Sequence, residues 1–136
     1  MCGVIGISGG NSDLVKKANL LLEHRGPDDQ GVFVDKFAKI GLGHNRLSII
    51  ETSSLGHQPM SSNDGKVVMV FNGEIYNFRE LRKNLEENGY IFNGRSDTEV
   101  LLNLYLLEGK EMLTKLNGIF AFAIWDYKNH SLFIAR

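Results

Sequence analysis

The residue with the most chemical promise stands second in the chain. Cys2 is the only cysteine among 136 residues and directly follows Met1. Removal of Met1 is expected, because the residue behind it is small. The mature chain would then open on a residue carrying both a thiol and an α-amino group. A thiol needs a base to become a nucleophilic thiolate. A free thiol titrates near ~8.5 and an α-amino group near ~7.7–8.0, so the two are matched around neutral pH. The amine, directly or through a water, can take the thiol proton and later return it to a leaving group. A cysteine at position 2 is weak evidence by itself. Gly3-Val4-Ile5-Gly6 strengthens it: this strand-like run would fix the new N-terminus in a sheet, and its two glycines leave room beside the thiol. No Ser/His/Asp triad is indicated. His24, His44, His57 and His130 lack metal-ligand spacing, so no metal is expected.

Several elements must hold such a residue. Residues 3–8 read as a first strand ended by Gly9-Gly10. Asn11 or Ser12 can cap a helix over about 13–24, with Leu14, Ala18, Leu21 and Leu22 as its apolar face. Arg25-Gly26-Pro27-Asp28 breaks that helix, Pro27 suiting a tight turn. Residues 30–35 and 39–44 read as a hairpin, followed by an irregular stretch and a strand over 66–71. Asn77 can cap a helix with Glu80 as its capping-box partner, Leu81 and Leu85 facing inward and Gly89 closing it. Ser96 and Glu99 form a second capping box for a helix through about Leu107. The apolar run 119–125 reads as a strand covered on both faces, with 132–135 as its hairpin partner. Strands and helices come in blocks, which favours an α+β fold of antiparallel sheets layered with helices.

Composition narrows the function classes. Hydrophobic residues make up 43% and charged residues 23%, which suits one globular domain able to bury a core without crosslinks. The net charge of -1, with no basic run, gives no reason to expect nucleic acid or an anionic membrane as partner. No signal peptide, transmembrane span or myristoylation pattern is read, and a lone cysteine fits a reducing compartment, so a cytoplasmic location is expected.

Five motifs then occur in order: Met1-Cys2-Gly3-Val4, Arg25-Gly26-Pro27-Asp28, His44-Asn45-Arg46-Leu47-Ser48-Ile49, Asn72-Gly73-Glu74-Ile75-Tyr76-Asn77 and Ser96-Asp97-Thr98-Glu99. Together they resemble the N-terminal glutaminase domain of asparagine synthetases, class II glutamine amidotransferases of the N-terminal nucleophile hydrolase superfamily. The resemblance runs over essentially the whole chain. It implies a four-layer α/β/β/α sandwich and the hydrolysis of glutamine to glutamate and ammonia. In complete family members the ammonia passes to a second domain and attacks an aspartate carboxyl activated by ATP.

The resemblance also assigns roles. Cys2 is the nucleophile. Arg46 clamps the substrate α-carboxylate, which a planar guanidinium can grip bidentately. The backbone of Leu47, Ser48, Ile49 and Ile50 lines the glutamine pocket. The Asn72 side-chain amide and the Gly73 N–H form the oxyanion hole. Against this, Asn-Gly is also an ordinary turn dipeptide. Glu74 contacts glutamine, with plain surface charge as its competing role. Asp97 grips the α-ammonium while capping a helix start. Arg25 to Asp28 is a family marker with no direct chemistry assigned. Ser8-Gly9-Gly10-Asn11-Ser12-Asp13 resembles the pyrophosphate loop of the synthetase domain, but its Asp and Ser are in reversed order, and a strand-to-helix turn explains it better.

The family's glutaminase domain continues past the position of Arg136. The expectation is therefore a domain over 1–136, incomplete at its C-terminus, with the synthetase domain absent and the last strand leaving an edge unpaired. No cofactor is expected in this segment; ATP and Mg belong to the missing synthetase domain. That domain, in cis, is the expected partner beside glutamine, and a homodimer is left open. Two competing functions stay open as well. One is an amidotransferase with another acceptor, as in polysaccharide assembly. The other is a non-catalytic remnant kept as an interaction module.

Overall fold

The computed structural model describes residues 2–9 and 11–136. Removal of Met1 and the place of Gly10 in its turn concern residues outside that set. Two antiparallel sheets carry the fold. The first is ordered β1 (Gly3–Ser8), β3 (Ile40–Arg46), β2 (Asp29–Asp35), and the second β4 (Met60–Ser61), β5 (Val67–Ile75), β6 (Gly118–Asp126), β7 (Ser131–Ala135). Helix α1 (Ser12–Leu20) lies on the first sheet. Helices α2 (Phe78–Glu87) and α3 (Asp97–Glu108) cover the far side of the second, joined to β6 by a 3-10 segment over Gly109–Lys115. The order of layers is α/β/β/α, as expected.

Strand alternation builds two cores. Val68 and Val70 on β5, with Ala123 and Trp125 on β6, meet Ile40 and Leu42 of the first sheet. Their neighbours Met69, Phe71, Phe122 and Ile124 point the other way, onto Leu85, Leu101, Leu104 and Met112. A strand buried on both faces reads as a continuous apolar run, and β6 is so buried from Phe122 onward, while Ile119 at its start is exposed.

Helix α1 departs from the sequence expectation, whereas α2 buries Leu81 and Leu85 and α3 runs from its Ser96 cap as expected. Helix α1 ends at Leu20, and its inward residues are Val15 and Asn19. Leu14, Leu20 and Leu21 are half or more exposed. The reason lies in β3: a Cβ at Gly41 would strike Val15, and one at Gly43 would come 2.7 Å from Asn19 Oδ1. Two glycines thus let the helix settle on Val15 and Asn19. Asn19 is satisfied there, donating to the His44 carbonyl (3.3 Å) and accepting from Asn45 Nδ2 (3.0 Å).

Asn77 does not cap α2 with its side chain. It reaches to the end of the 3-10 segment instead, donating to the Lys115 carbonyl (2.9 Å) and accepting from the Asn117 N–H (3.1 Å). Half of the second box forms, Ser96 Oγ accepting from the Glu99 N–H (3.1 Å). The Glu99 carboxylate turns to the preceding loop and accepts from the N–H groups of Asn93 (2.7 Å) and Gly94 (2.8 Å). Strand β5 continues to Ile75 rather than stopping at Phe71, because β6 pairs with it as far as Ile75↔Gly118. The stretch read as irregular includes the short strand β4. Gly9 lies between β1 and α1, whose first turn is capped by the Asn11 side chain (2.9 Å to the Leu14 N–H).

Candidate active site

Strand register brings the N-terminus to the site. Gly3 pairs with Asn45, so Cys2, one residue earlier, lies beside the C-terminal end of β3. There the Leu47 N–H donates to Cys2 Sγ (3.4 Å), and Sγ faces the Leu47 carbonyl at 3.8 Å. Cys2 is half-buried and lines a cavity of about 250 Å3. That volume falls below the roughly 300–1,000 Å3 of clefts for drug-sized ligands, and it suits a molecule of amino-acid size.

The same cavity is lined by Arg46, Leu47, Ile49 and Ile50 from the end of β3 and its following loop, by Asn72, Gly73 and Glu74 from β5, and by Asp97 from the start of α3. Segments far apart in sequence therefore converge on one space. Ser48 is not part of the lining; its N–H donates to Asp28 Oδ2 (2.8 Å). The Asp28 N–H donates to the Arg46 carbonyl (3.0 Å), so the Arg25–Asp28 segment braces the strand end that carries Arg46.

The Arg46 guanidinium is almost fully buried. It donates to the Ser53 carbonyl (2.9 Å) and to the Glu51 carbonyl, and it lies 4.0 Å from the Asp29 carboxylate. Asp29 also binds His57 Nδ1 (2.7 Å). Gly56 packs directly over this guanidinium, where a Cβ would collide with it.

Asn72 and Gly73 sit inside β5, not in a turn. Gly73 has φ 153°, and a Cβ there would come 2.6 Å from the Phe120 Cα. Close approach of β6 therefore requires glycine. Asn72 Oδ1 is buried without a hydrogen-bond partner among the described residues, which leaves the nitrogen of the carboxamide for the cavity.

Asp97 is almost wholly buried, and its Oδ2 accepts the Ile75 N–H (3.1 Å). Burial pushes its carboxyl above the ordinary carboxylate range, and the nearby Glu74 charge adds to this, while backbone N–H donors oppose it. A cation beside Asp97 would restore its charged form. The lining of the cavity thus includes a thiol, a carboxamide, a glycine, a guanidinium and a carboxylate.

Glu51, Gly56, Gln58, Tyr76, Thr98 and Ile119 also line the cavity and were not singled out from the sequence. Gln58 is the clearest omission. Its Oε1 accepts the Phe71 N–H (2.6 Å) and its Nε2 donates to Thr98 Oγ1 (3.4 Å), tying β5 to α3 next to Asn72. Gln58-Pro59 carried no signal of this, since the partners are 13 and 40 residues away. Among the described residues, no group of three or more His, Cys, Asp or Glu side chains is placed to hold a metal ion. No helix there is long and apolar enough to cross a membrane.

Known proteins resemble this chain in sequence and in fold. Glutamine-hydrolysing asparagine synthetase 1 of Bacillus subtilis (strain 168) is 44% identical over the whole chain, which spans 22% of that protein. A putative glutamine-hydrolysing asparagine synthetase 2 of Methanocaldococcus jannaschii is 40% identical, again over the whole chain and 30% of its own length. The chain therefore corresponds to less than a third of either relative. Among solved structures, the glutamine phosphoribosylpyrophosphate amidotransferase of B. subtilis, complexed with ADP and GMP, superposes with a TM-score of 0.78 at 26% identity, covering 93% of this chain and 35% of that one. The profile of the glutamine amidotransferase domain matches residues 1–136, and with Cys2, Arg46, Asn72, Gly73 and Asp97 gathered on one cavity, the chain belongs to that family.

Proposed function

We propose that this chain hydrolyses glutamine to glutamate and ammonia, with Cys2 as nucleophile. The observation that carries the reading is the convergence of Cys2, Asn72, Gly73, Arg46 and Asp97 on one cavity of amino-acid size. With Met1 removed, the Cys2 amine takes the thiol proton, and Sγ attacks the γ-carboxamide carbon. The C=O π electrons move to oxygen, where the Asn72 amide and the Gly73 N–H stabilise the charge; each such donor is worth roughly 100- to 1,000-fold in rate. Collapse breaks the C–N bond, the proton goes to the departing nitrogen, and ammonia leaves a thioester on Cys2. Water then cleaves the thioester to glutamate and the free thiol.

Arg46 receives the α-carboxylate and Asp97 the α-ammonium, with Glu74 beside it. Leu47, Ile49 and Ile50 form the wall, and Ser48 contributes by fixing the backbone between them. This chemistry asks for no cofactor. In the longer proteins whose N-terminal part it resembles, ammonia would pass to an ATP- and Mg-dependent synthetase domain in cis for asparagine synthesis in the cytoplasm. Residues 1–136 belong to the glutaminase domain of such a protein, which continues beyond them.

Cys2→Ala tests the mechanism. Ammonia release from glutamine should disappear while the thermal unfolding midpoint stays within a few degrees, since Cys2 is only half-buried. Ammonia release at the wild-type rate in this variant would overturn it.

A further inference from the structure

Glu51 makes more cross-chain bonds than its place in an exposed loop would suggest. Its Oε1 accepts the Ser53 hydroxyl (2.6 Å) and the Ser53 N–H (3.0 Å). Its Oε2 accepts the Arg95 N–H (3.0 Å), 44 residues away in sequence. Its carbonyl, with that of Ser53, holds the Arg46 guanidinium. Three N–H and O–H donors hold the carboxyl well below the ordinary range, at about 2, so it is ionised throughout physiological pH.

The two sides of this connection differ. The 93–95 segment is anchored from several directions. Glu99 holds the N–H groups of Asn93 and Gly94. Arg82 donates to the Gly94 carbonyl (2.8 Å) and packs on the Phe92 ring at 4.4 Å. Buried Gly94 lets Glu51 come close, since a Cβ there would lie 3.3 Å from Glu51 Oε2. Two residues beyond Arg95 stands Asp97. The opposite side, residues 47–56, is a loop with one short 3-10 turn at Ser54–Gly56, and it carries exposed Ile49, Ile50 and Leu55.

We propose that Glu51 is a positioning residue for the substrate head group: its carboxylate latches the 47–56 loop onto the rigid segment entering α3 and so sets the separation of Arg46 and Asp97. The proposal rests on the glutaminase reading, in which those two residues grip the α-carboxylate and α-ammonium. Glu51 touches neither the thiol nor the reacting carbon. Its loss should weaken recognition of the amino-acid head and leave the reactivity of Cys2 alone.

The test uses the full chain with two variants. Glu51→Ala removes the latch. Glu51→Gln keeps size and one acceptor oxygen but sets an amide NH2 against the Arg95 N–H. Both should raise the KM for glutamine about tenfold with kcat within about twofold, the pattern of lost uniform binding. Two Cys2-directed reagents separate positioning from general damage. Labelling by 6-diazo-5-oxo-L-norleucine, which carries the amino-acid head, should slow in parallel with KM. Alkylation by iodoacetamide, which has no such head, should keep the wild-type rate. Unchanged KM and unchanged labelling by the amino-acid reagent in Glu51→Gln would overturn the latch. So would equal slowing of both reagents. Failure of the wild type itself to take the amino-acid reagent would sink the glutaminase reading instead.

Discussion

Gly73 carries two demands at once. The proposed oxyanion role needs an N–H at that position, and the β5–β6 ladder needs the strand to continue past it. Both hold because the residue has no Cβ: at φ 153° an added methyl would press on the Phe120 Cα and the Ile119 carbonyl. Gly73→Ala should therefore separate β5 from β6 locally and carry the N–H out of line. We expect kcat for glutamine hydrolysis to fall about 100-fold or more, the scale of one lost oxyanion donor. The KM should change little, because Arg46 and Asp97 lie on other elements. Steady-state kinetics decide this, and a kcat near wild type would remove Gly73 from the oxyanion site. The identity of this residue was legible in the sequence, its conformation was not. Asn-Gly is a common turn dipeptide, and what makes it strand is a partner, β6, some 45 residues further on. Cys2 was legible for the opposite reason: its chemistry needs only its own amine and a neighbouring strand.

At the scale of elements, the close contact of α1 with β3 shows where local pattern misleads. Counting apolar residues selects Leu14, Ala18, Leu21 and Leu22, yet Val15 and Asn19 face inward. The choice is made by Gly41 and Gly43, which provide a groove, and by the His44 carbonyl and the Asn45 side-chain NH2, both of which hydrogen-bond to Asn19. Nothing within α1 encodes those partners. Longer apolar runs such as β6, and α2 with Leu81 and Leu85 one turn apart, were readable because burial there follows the period of the element itself. The capping residues fell between these cases: Ser96 caps α3, while the Asn77 side chain was drawn off by Lys115 and Asn117. The groove yields a prediction. Gly41→Ala should destabilise the chain by about 1–3 kcal/mol through overpacking against Val15. Adding Val15→Ala makes room for the new methyl, so the double variant should be more stable than the sum of the single effects predicts, by about 0.5–3 kcal/mol of coupling. Urea denaturation of the four proteins measures that cycle, and strict additivity would show that α1 and β3 do not meet there.

For the whole molecule, the decisive contact is between the two sheets, since Cys2 directly precedes β1 and Arg46 ends β3 of one, while Asn72 and Gly73 lie on the other. The seam is mostly apolar, through Ile40, Leu42, Val68, Val70, Ala123 and Trp125. Apolar packing holds sheets together but leaves sliding only weakly opposed. Among the described residues, polar bonds that cross the seam oppose such sliding. Trp125 Nε1 donates to Asp35 Oδ2 (3.1 Å), and His44 Nε2 donates to the Phe71 carbonyl (3.1 Å), immediately before Asn72. His44 is fully buried, and its Nδ1 has no partner among the described residues. Burial therefore pushes its pKa down from 6.5 to about 4. The unfolded chain takes up this proton near the ordinary value, while the folded chain resists it until about pH 4. The stability held by neutral His44 is thus complete above about pH 6.5 and is lost as pH falls toward 4, by about 3 kcal/mol in total. His44→Gln keeps an N–H donor and removes the titration. Urea midpoints taken from pH 7 to pH 4 should fall more steeply for the wild type than for this variant, with most of the difference appearing below pH 6.5. The difference between the two curves isolates the contribution of His44. Parallel pH curves would mean that His44 takes up its proton equally in the folded and unfolded chains.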